Sequence, residues 1–306
     1  MDTGAPSPPG AGTLFLVGTP IGNLQDMTDR ARTTLARVGL VAAEDTRRTR
    51  RLLTAFGVRA RLMSLFEGNE AARIPEMLGL LGDGTDVALV SDAGMPALSD
   101  PGYRLVAACI ERGIEVDVVP GPSAAVTALV ISGLPTDRFV FEGFLPRSGR
   151  KRAERLRDLA VEPRTIVLFE SPRRLASTLR DLEAACGDRR VAVARELTKL
   201  HQEVLRGHLS EVLAGLGDED LRGEIVVVLE GGRRGLAEGD DLETAFAIAR
   251  ALVSGGARKR EAARRASDLS GASAREIYER LAREAGVTGS GDGGGIQPGD
   301  GGAAGS

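Results

Sequence analysis

The chain has 306 residues and a formal net charge of −3 at pH 7. This length suits two domains better than one, and the nearly balanced charge argues against a generally basic nucleic-acid-binding protein. No apolar run is long enough to span a membrane, and residues 1–12 lack the basic start and apolar core of a signal peptide. We therefore expect a cytoplasmic protein without a membrane segment.

The two cysteines, Cys109 and Cys186, fall in separate helical patterns. Neither has a second cysteine or a histidine at the short spacing that zinc sites use. Two reduced, buried thiols are therefore expected rather than a disulfide, and no metal site is expected.

The first half of the chain alternates between strand-like and helix-like stretches. Residues 1–12 are rich in Gly, Pro and Ser and are expected to be disordered. Strands are then predicted near residues 13–18, 38–43, 85–91 and 114–119. Amphipathic helices are predicted near residues 28–37, 46–56, 70–82, 102–112 and 123–132. This alternation predicts an α/β domain with a mostly parallel sheet over residues 13–134.

A second α/β domain is predicted over residues 135–235, after a boundary at the Gly-Leu-Pro sequence that starts at Gly133. Its strands are predicted near residues 138–142, 164–169, 189–196 and 223–230. Its helices are predicted near residues 149–160, 172–186 and 209–216.

The last part of the chain has a different pattern. Helices are predicted at residues 240–254, 258–268 and 273–285, which together form a small helical domain over residues 240–285. Residues 286–306 contain ten glycines. This segment is expected to be a disordered tail because it cannot bury enough apolar surface to order.

The predicted strand over Val87–Val90 runs directly into a small, acidic, Gly-rich turn. Asp92 stands at the carboxyl end of this strand, where open α/β sheets bind ligands, and Gly94 allows the backbone to lie close to a ligand. Four other segments end in a similar way, namely residues 14–23, 116–123, 165–172 and 224–231. Together the five strand ends predict a cleft that they line.

Simpler explanations exist for several of these turns. Gly18 to Asn23 lacks the lysine of a phosphate-binding loop and the spacing of a dinucleotide-binding one. Ser123 is expected to cap a helix. The pair Glu44 and Asp45 either has a substrate or base role or simply places negative charge at a helix N-terminus.

Basic residues cluster in three segments, residues 47–51, 147–157 and 250–284. Such clusters contact phosphates in nucleic-acid-binding proteins. Such clusters also occur on helix faces that only contact solvent. The sequence alone does not decide between a phosphate-binding and a solvent-exposed role.

Nine short motifs, taken in order, resemble those of the bacterial ribosomal RNA small subunit methyltransferase I family, which is similar in fold to the tetrapyrrole methylases. The motifs are residues 16–24, 43–47, 90–94, 99–103, 120–122, 133–135, 141–147, 169–171 and 194–199. The resemblance runs from about Thr13 to Gly231 and continues more loosely over residues 258–284. It implies methylation of the ribose 2′-hydroxyl of a cytidine in 16S rRNA, near the decoding centre of the small ribosomal subunit.

The resemblance also implies that S-adenosylmethionine is held in a cleft between two α/β domains. The implied cofactor-binding residues are Pro20, Asp92, Ala93, Gly94, Ser99, Pro122, Ser123, Ala124, Phe169 and Leu197. One departure from the family pattern follows Gly94, where Met95 stands in place of the usual threonine. If that threonine holds the cofactor through its hydroxyl, this chain must hold it in another way.

Transfer to a neutral hydroxyl needs a nearby base, or a cation that stabilises the developing alkoxide. The candidate catalytic residues are Glu44, Asp45, Lys199 and His201. The candidate RNA-binding residues are Arg47, Arg48, Arg147, Lys151, Lys259, Arg260 and Arg264. A homodimer is expected, and two alternatives remain: a tetrapyrrole or protein side-chain methylase, and a catalytically silent RNA-binding assembly factor.

Overall fold

The structure is a computed structural model that describes residues 10–216, 223–232, 238–270 and 272–287. The chain divides into two compact units, Met1–Gly231 and Gly232–Ser306. Most of the two segments that the sequence predicts to be disordered, residues 1–12 and 286–306, lies outside the described residues. No described helix is long and apolar enough to cross a membrane.

The first unit contains a five-stranded parallel sheet. Its strands are β1 (Leu14–Val17), β2 (Leu40–Ala43), β3 (Leu62–Ser64), β4 (Val87–Val90) and β5 (Val116–Val119). They are ordered β3-β2-β4-β1-β5, and every pairing is parallel. Because parallel strands end at the same edge of a sheet, the turns that follow β1, β2, β4 and β5 converge there.

Five helices follow these strands: α1 (Asp29–Arg37), α2 (Thr46–Ala55), α3 (Glu70–Gly82), α4 (Tyr103–Glu111) and α5 (Ala124–Ser132). Residues on opposite faces of the sheet enter different apolar clusters. Leu14 and Leu89 belong to one cluster, and Val17 and Val90 belong to the other. The sheet is therefore covered on both faces, which explains why its strands are continuously apolar rather than alternating.

The second sheet is mixed. Its strands are β6 (Phe139–Phe144), β7 (Thr165–Glu170), β8 (Arg190–Arg195), β9 (Glu203–His208) and β10 (Ile225–Leu229). They are ordered β6-β7-β10-β8-β9, with β6 parallel to β7 and the other pairs antiparallel. The helices here are α6 (Gly149–Val161), α7 (Pro172–Cys186) and α8 (Leu209–Gly215).

Helix α5 packs against the second sheet. Ala125, Ala128 and Leu129 share an apolar cluster with Val167 of β7 and Val226 of β10. Small residues on this face let the helix lie close to the sheet. The helix thereby joins the two sheets into one compact unit.

The direction of β10 corrects one expectation. Because β10 is antiparallel to β7, Ile225 at its start pairs with Glu170 at the end of β7. A Cβ built on Gly231 would collide with the carbonyl oxygen of Pro163, just before β7 begins. The prediction that the carboxyl end of this strand lines the cleft is therefore wrong, since its amino end lies at that edge.

Two strands have no counterpart in the sequence prediction. β3 has three residues, which is too short for a periodic signal. β9 is an edge strand whose sequence is largely polar and whose residues are mostly half-buried or exposed. Edge strands need no continuous apolar run, so the pattern that marks the central strands is missing here.

The second unit is helical. Its helices are α9 (Glu238–Ser254), α10 (Lys259–Ser270) and α11 (Ala274–Val287). They enclose a core that includes Ala249, Ala262, Ala266, Ile277 and Leu281. All three helices that the sequence predicts are present.

Both cysteines are free thiols. Cys109 in α4 is buried, whereas Cys186 at the end of α7 is only half-buried. Burial raises the pKa of the Cys109 thiol to about 11, which keeps it protonated at neutral pH. Within the described ranges no group of three or more His, Cys, Asp or Glu side chains is arranged to hold a metal ion.

Candidate functional site

A cavity of about 420 Å3 lies where the converging turns of the first sheet meet the second sheet. The turns after β2, β4 and β5 contribute Glu44, Asp92 and Ser123. The second sheet contributes Phe169 at the end of β7 and Glu224 just before β10. Strand ends from both sheets therefore line one cleft.

Seven of the ten residues that the resemblance assigns to the cofactor line this cavity: Asp92, Ala93, Gly94, Ser99, Ser123, Ala124 and Phe169. Pro20 borders a neighbouring hollow instead. The carbonyl oxygen of Pro122 lies 3.5 Å from where a Cβ on Gly94 would stand. Leu197 is buried in the cluster that contains Ile21. Whether these residues bind a cofactor stays a prediction.

Main-chain contacts hold the turn after β4. The backbone N–H of Thr19 donates to the carbonyl of Gly94 at 2.9 Å, and the N–H of Gly94 donates back at 3.1 Å. Gly94 has a φ of +81°, a conformation that favours glycine. The turn is thus fixed without a side chain at position 95, and Met95 lines the cavity.

The turns after β1 and β5 touch backbone to backbone. A Cβ built on Gly18 would lie 2.6 Å from the Cα of Gly121, and one built on Gly121 would lie 2.8 Å from the Cα of Gly18. A side chain at either position would push the two turns apart. These glycines therefore bring the start of α5, with Ser123, toward the cavity.

Left-handed backbone at non-glycine residues concentrates in two loops. Among the described residues it occurs at Ala97, Ser99, Glu196 and Thr198, with φ between 52° and 65°. Ser99 lines the cavity, and the carboxylate of Glu196 accepts a hydrogen bond from the backbone of Glu224, which also lines it. Such conformations cost about 1–3 kcal/mol each and cluster at binding and catalytic sites.

A buried carboxylate anchors the wall formed by the second sheet. The side chain of Glu170 is fully buried. It accepts hydrogen bonds from the hydroxyl of Thr178 at 2.6 Å and the backbone N–H of Ser171 at 2.7 Å, and Arg174 lies 3.3 Å away. These contacts fix the turn that carries Phe169, whose ring meets that of Phe144 at a centroid distance of 5.6 Å.

The cavity is acidic. Among the described residues, its lining includes five carboxylates and no Arg, Lys or His side chain: Glu44, Asp92, Asp100, Glu170 and Glu224. Burial, together with the charge of Asp92, raises the pKa of Glu44. Burial, together with the charge of Glu44, raises the pKa of Asp100 to about 6. Such a cavity favours a ligand that carries positive charge.

Of the four candidate catalytic residues, Glu44 lines the cavity. Asp45 instead caps α2, where its carboxylate accepts the backbone N–H of Arg47 at 2.8 Å and pairs with the guanidinium of Arg47 at 2.8 Å. These hydrogen bonds hold the pKa of Asp45 well below its usual range. Asp45 therefore stays ionised and committed to Arg47, which makes it a poor proton acceptor.

Lys199 and His201 lie outside the cavity. Lys199 pairs with Glu196 at 2.8 Å and with Glu224 at 3.4 Å. Burial alone would lower the pKa of Lys199, but these two carboxylates raise it above its ordinary value. Lys199 is therefore a cation that positions Glu224, not a base. His201 is exposed to solvent.

A second hollow, of about 310 Å3, borders the acidic cavity. Its lining includes Pro20, Leu24, Arg48 and Arg51, and it shares Asp92 with the cavity. Arg48 lies 3.1 Å from Asp92. We call this space the arginine hollow.

Comparison with known proteins identifies the family. Residues 13–213 match the family described as Tetrapyrrole (Corrin/Porphyrin) Methylases. The ribosomal RNA small subunit methyltransferase I of Thermotoga maritima is 55% identical over 220 residues, which cover 72% of this chain and 99% of that protein. The protein of the same name from Mycobacterium tuberculosis is 46% identical over 283 residues, or 91% of this chain and 98% of that protein. The chain belongs to the ribosomal RNA small subunit methyltransferase I family.

Solved structures confirm the fold predicted for this family member. A cobalt precorrin-4 methyltransferase matches with a TM-score of 0.54 and 18% identity, over 71% of this chain and 94% of that one. The methyltransferase CobJ matches with a TM-score of 0.55 and 19% identity, over 72% of this chain and 95% of that one. The methyltransferase I family thus shares the tetrapyrrole methylase fold.

The basic segment 147–157 of this methyltransferase I family member is less free than its sequence indicates. Arg147 and Lys151 are exposed. Arg152, however, is buried and donates to Thr178 at 3.0 Å and to Asp181 at 2.9 Å. Arg155 pairs with Glu142 at 2.7 Å. Carboxylates distant in sequence therefore fold against this segment and occupy two of its arginines.

Helix α10 carries the other predicted RNA contacts. Arg260 and Arg264 are exposed, and Lys259 is half-buried. The guanidinium carbon of Arg260 lies 5.9 Å from the ring centre of Tyr278. Ala262, Ala263 and Ala266 face the core of the helical unit, as their small size predicts. The face of α10 that carries the exposed arginines is therefore separate from the face that packs into the core.

Sequence reasoning did not select Asp100, Glu224 or Arg51 for the site of this methyltransferase I family member. Asp100 directly follows Ser99 and belongs to the same turn, so the loop itself was a usable signal. Arg51 follows Arg48 by three residues, the spacing of one helix face. Glu224 gave no signal, because it enters the cavity only through the reversed direction of β10.

Proposed function

We propose that this chain uses S-adenosylmethionine to methylate the ribose 2′-hydroxyl of a cytidine in 16S rRNA of the small ribosomal subunit, near the decoding centre. The names of its relatives support the substrate class. One observation carries the proposal: an acidic cavity adjoins a hollow with two arginines, and Asp92 borders both. A cationic methyl donor suits the cavity, and a polyanion suits the hollow.

The residues of the cavity fit S-adenosylmethionine. A volume of about 420 Å3 lies within the roughly 300–1,000 Å3 of small-molecule sites. Ile21, Leu98 and Phe169 supply apolar surface for a flat base, and Asp92 and Asp100 supply negative charge for cationic groups. When bound, the cofactor supplies a methyl group that its positively charged sulfur already activates. Asp92, Ala93, Gly94, Ser99, Ser123, Ala124 and Phe169 are the residues that would hold it.

The protein's own contribution is alignment and proton transfer. Holding two reactants in the correct geometry is worth about 7–11 kcal/mol in favourable cases. Glu44 is our candidate proton acceptor for the 2′-hydroxyl, because it lines the cavity near Asp92 and burial raises its pKa toward neutral pH. A well-placed base contributes about 100- to 10,000-fold in rate. Asp100 is a second candidate, with a pKa of about 6.

Phosphate contacts are expected to hold the RNA. Aromatic residues make up 3% of the chain, which limits base stacking. The exposed cations proposed for these contacts are Arg48, Arg147, Lys151, Arg260 and Arg264, with half-buried Lys259 beside them. Arg47 remains a candidate, although it is engaged by Asp45.

We also propose that the chain forms a homodimer. β5 is an edge strand, and Val118 on it is 45% exposed. Val126 and Val130 of α5 are 48% and 63% exposed. Apolar surface of this kind favours association with a second copy.

Methyl transfer from labelled S-adenosylmethionine tests the substrate class. We expect label in the RNA of small subunits that lack the modification, and none in ribosomal protein or in an added tetrapyrrole. Label in protein or in the tetrapyrrole would support the alternative methylases. Binding of subunits without any transfer would support a catalytically silent assembly factor.

A further inference from the structure

One face of α2 forms a wall of the arginine hollow. Arg48, Arg51, Leu52 and Ala55 all line it. Their spacing of three, four and seven residues places them on a single side of the helix. At 100° per residue, Arg50 lies on the far side, and it does not line the hollow.

The hollow combines cationic and apolar surface. Arg51 is exposed and has no ion-pair partner among the described residues. Arg48 faces Asp92, the single acid among the described residues that line the hollow. Pro20 and Leu52 add apolar surface. Guanidinium groups bind phosphate oxygens in a bidentate manner, and flat apolar walls suit a base, so this chemistry fits a single ribonucleotide.

The position of the hollow is as informative as its chemistry. Reacting atoms must come within about 3–3.5 Å of each other in a productive complex. The acceptor must therefore lie directly beside the cavity that holds the methyl donor. The hollow meets this condition at Asp92, which borders both spaces.

We propose that the arginine hollow is the binding site of the target ribonucleotide. This inference rests on the proposed function and assigns its substrate position. Arg51 holds a phosphate of the target strand, and Arg48 leaves Asp92 to bind a phosphate when RNA arrives. A nucleotide stacked in a helix cannot enter a hollow of this kind, so the target nucleotide enters unstacked from its neighbours.

Two matched pairs of variants on α2 test this assignment. In the first pair, Arg51→Ala removes the proposed phosphate contact, and Arg50→Ala removes another exposed arginine from the far side of the helix. In the second pair, Ala55→Trp fills the hollow, and Thr54→Trp places the same bulk beside it. All four positions are exposed, so the substitutions leave the core intact.

The readouts are kcat/KM and KM for undermethylated small subunits, the salt dependence of subunit binding, and cofactor affinity by calorimetry. We expect Arg51→Ala to lower kcat/KM about tenfold through KM and to reduce the salt slope by about 0.7–0.9, the range for one phosphate contact. Ala55→Trp should lower kcat/KM more strongly. Cofactor affinity should stay within about twofold in every variant, and both controls should match wild type.

The assignment of the target nucleotide to the arginine hollow is wrong if Arg51→Ala and Arg50→Ala have equal kinetics and equal salt slopes and Ala55→Trp is as active as Thr54→Trp. That result would leave the proposed function intact. If wild type binds subunits without transferring methyl groups, the proposed function fails instead. The salt slopes then test the nucleotide-binding role of the arginine hollow on their own. A lower slope in Arg51→Ala alone supports this role, and equal slopes in the two arginine variants exclude it.

Discussion

The guanidinium of Arg48 lies 3.1 Å from the carboxylate of Asp92, at the border between the acidic cavity and the arginine hollow. The side chain of Arg48 is 65% exposed, so the pair contributes only about 0–1 kcal/mol to stability. Asp92 also accepts a hydrogen bond from the backbone N–H of Asp45 at 3.1 Å. The pair therefore sets the boundary between oppositely charged spaces more than it stabilises the fold.

Asp92→Asn should weaken the binding of S-adenosylmethionine. The substitution keeps the shape of the side chain and removes one negative charge from the cavity wall. We expect a loss of about tenfold in affinity, or about 1.4 kcal/mol, by calorimetry. Asp117→Asn is the control. It also removes one carboxylate, but Asp117 lies on β5, pairs with Arg30 at 2.8 Å and does not line the cavity. Equal cofactor affinity in the two variants would contradict a role for Asp92.

Gly94→Val should abolish cofactor binding. Gly94 has a φ of +81°, and a Cβ there would stand 3.4 Å from Ile21, which is an ordinary contact. The strain therefore comes from the left-handed backbone, which costs a non-glycine residue about 1–2 kcal/mol or more. Relaxing it would distort the turn that lines the cavity.

Gly57→Val is the control for strain, since Gly57 has a φ of +68° with nothing within 4 Å of a built Cβ. It should lose a similar amount of stability in urea unfolding and bind the cofactor normally. If both variants bind normally, the turn at Gly94 is not part of the cofactor site.

Asp100 should make stability and cofactor binding depend on pH. Burial raises the pKa of Asp100 in the folded protein to about 6, above its ordinary value, so folding favours the protonated form. Its contribution to stability is therefore complete below about pH 4 and is lost as pH rises through 6. Asp100→Asn stays neutral, so its stability relative to wild type should increase between these values in urea unfolding.

Cofactor binding should change in the opposite direction. Ionisation of Asp100, near Glu44 and Asp92, adds negative charge that favours a cationic ligand. Wild-type affinity should rise through pH 6, and Asp100→Asn should flatten this rise. The same pH profile in both proteins would remove Asp100 from the site.

Sequence patterns predict most of the fold because the central strands are buried on both faces and the helices begin at clear caps. Thr28, Asp45 and Ser123, for example, accept hydrogen bonds from the first turns of α1, α2 and α5. The turn from Asp92 to Ser99 could also be predicted as part of the site, because it directly follows a central buried strand that the sequence pattern marks clearly.

The remaining site residues depend on tertiary geometry. Glu224 reaches the cavity because β10 runs against β7, and strand direction leaves no local signature. Asp45 and Glu44 are adjacent in sequence, yet one caps a helix and the other lines the cavity. Pairings such as Arg152 with Asp181 join residues far apart in the chain, so no sequence window contains both.

Replacing Arg260 and Arg264 by Ala should weaken binding to small subunits. Both are exposed on α10. We expect the salt slope of binding to fall by about one unit per lost phosphate contact, with cofactor affinity unchanged. The control is the double variant Arg265→Ala, Arg275→Ala, whose side chains pair with Glu261 and Glu279 at 3.0 Å. Identical slopes for the two double variants would exclude α10 as an RNA anchor.

The homodimer is tested by light scattering. We expect twice the monomer mass at micromolar concentration, because Val126 and Val130 leave apolar surface exposed on α5. A monomer mass under these conditions would refute the proposal.

The most direct test of the central claim is to locate the methyl group. Small subunits that lack the modification are incubated with wild-type protein and labelled S-adenosylmethionine, and the 16S rRNA is digested to nucleosides for mass spectrometry. We expect label in 2′-O-methylcytidine, and a large loss of that product with Glu44→Gln even when the cofactor is saturating. Label on a base, or no label in any nucleoside from the rRNA, would contradict the proposed 2′-O-methylation.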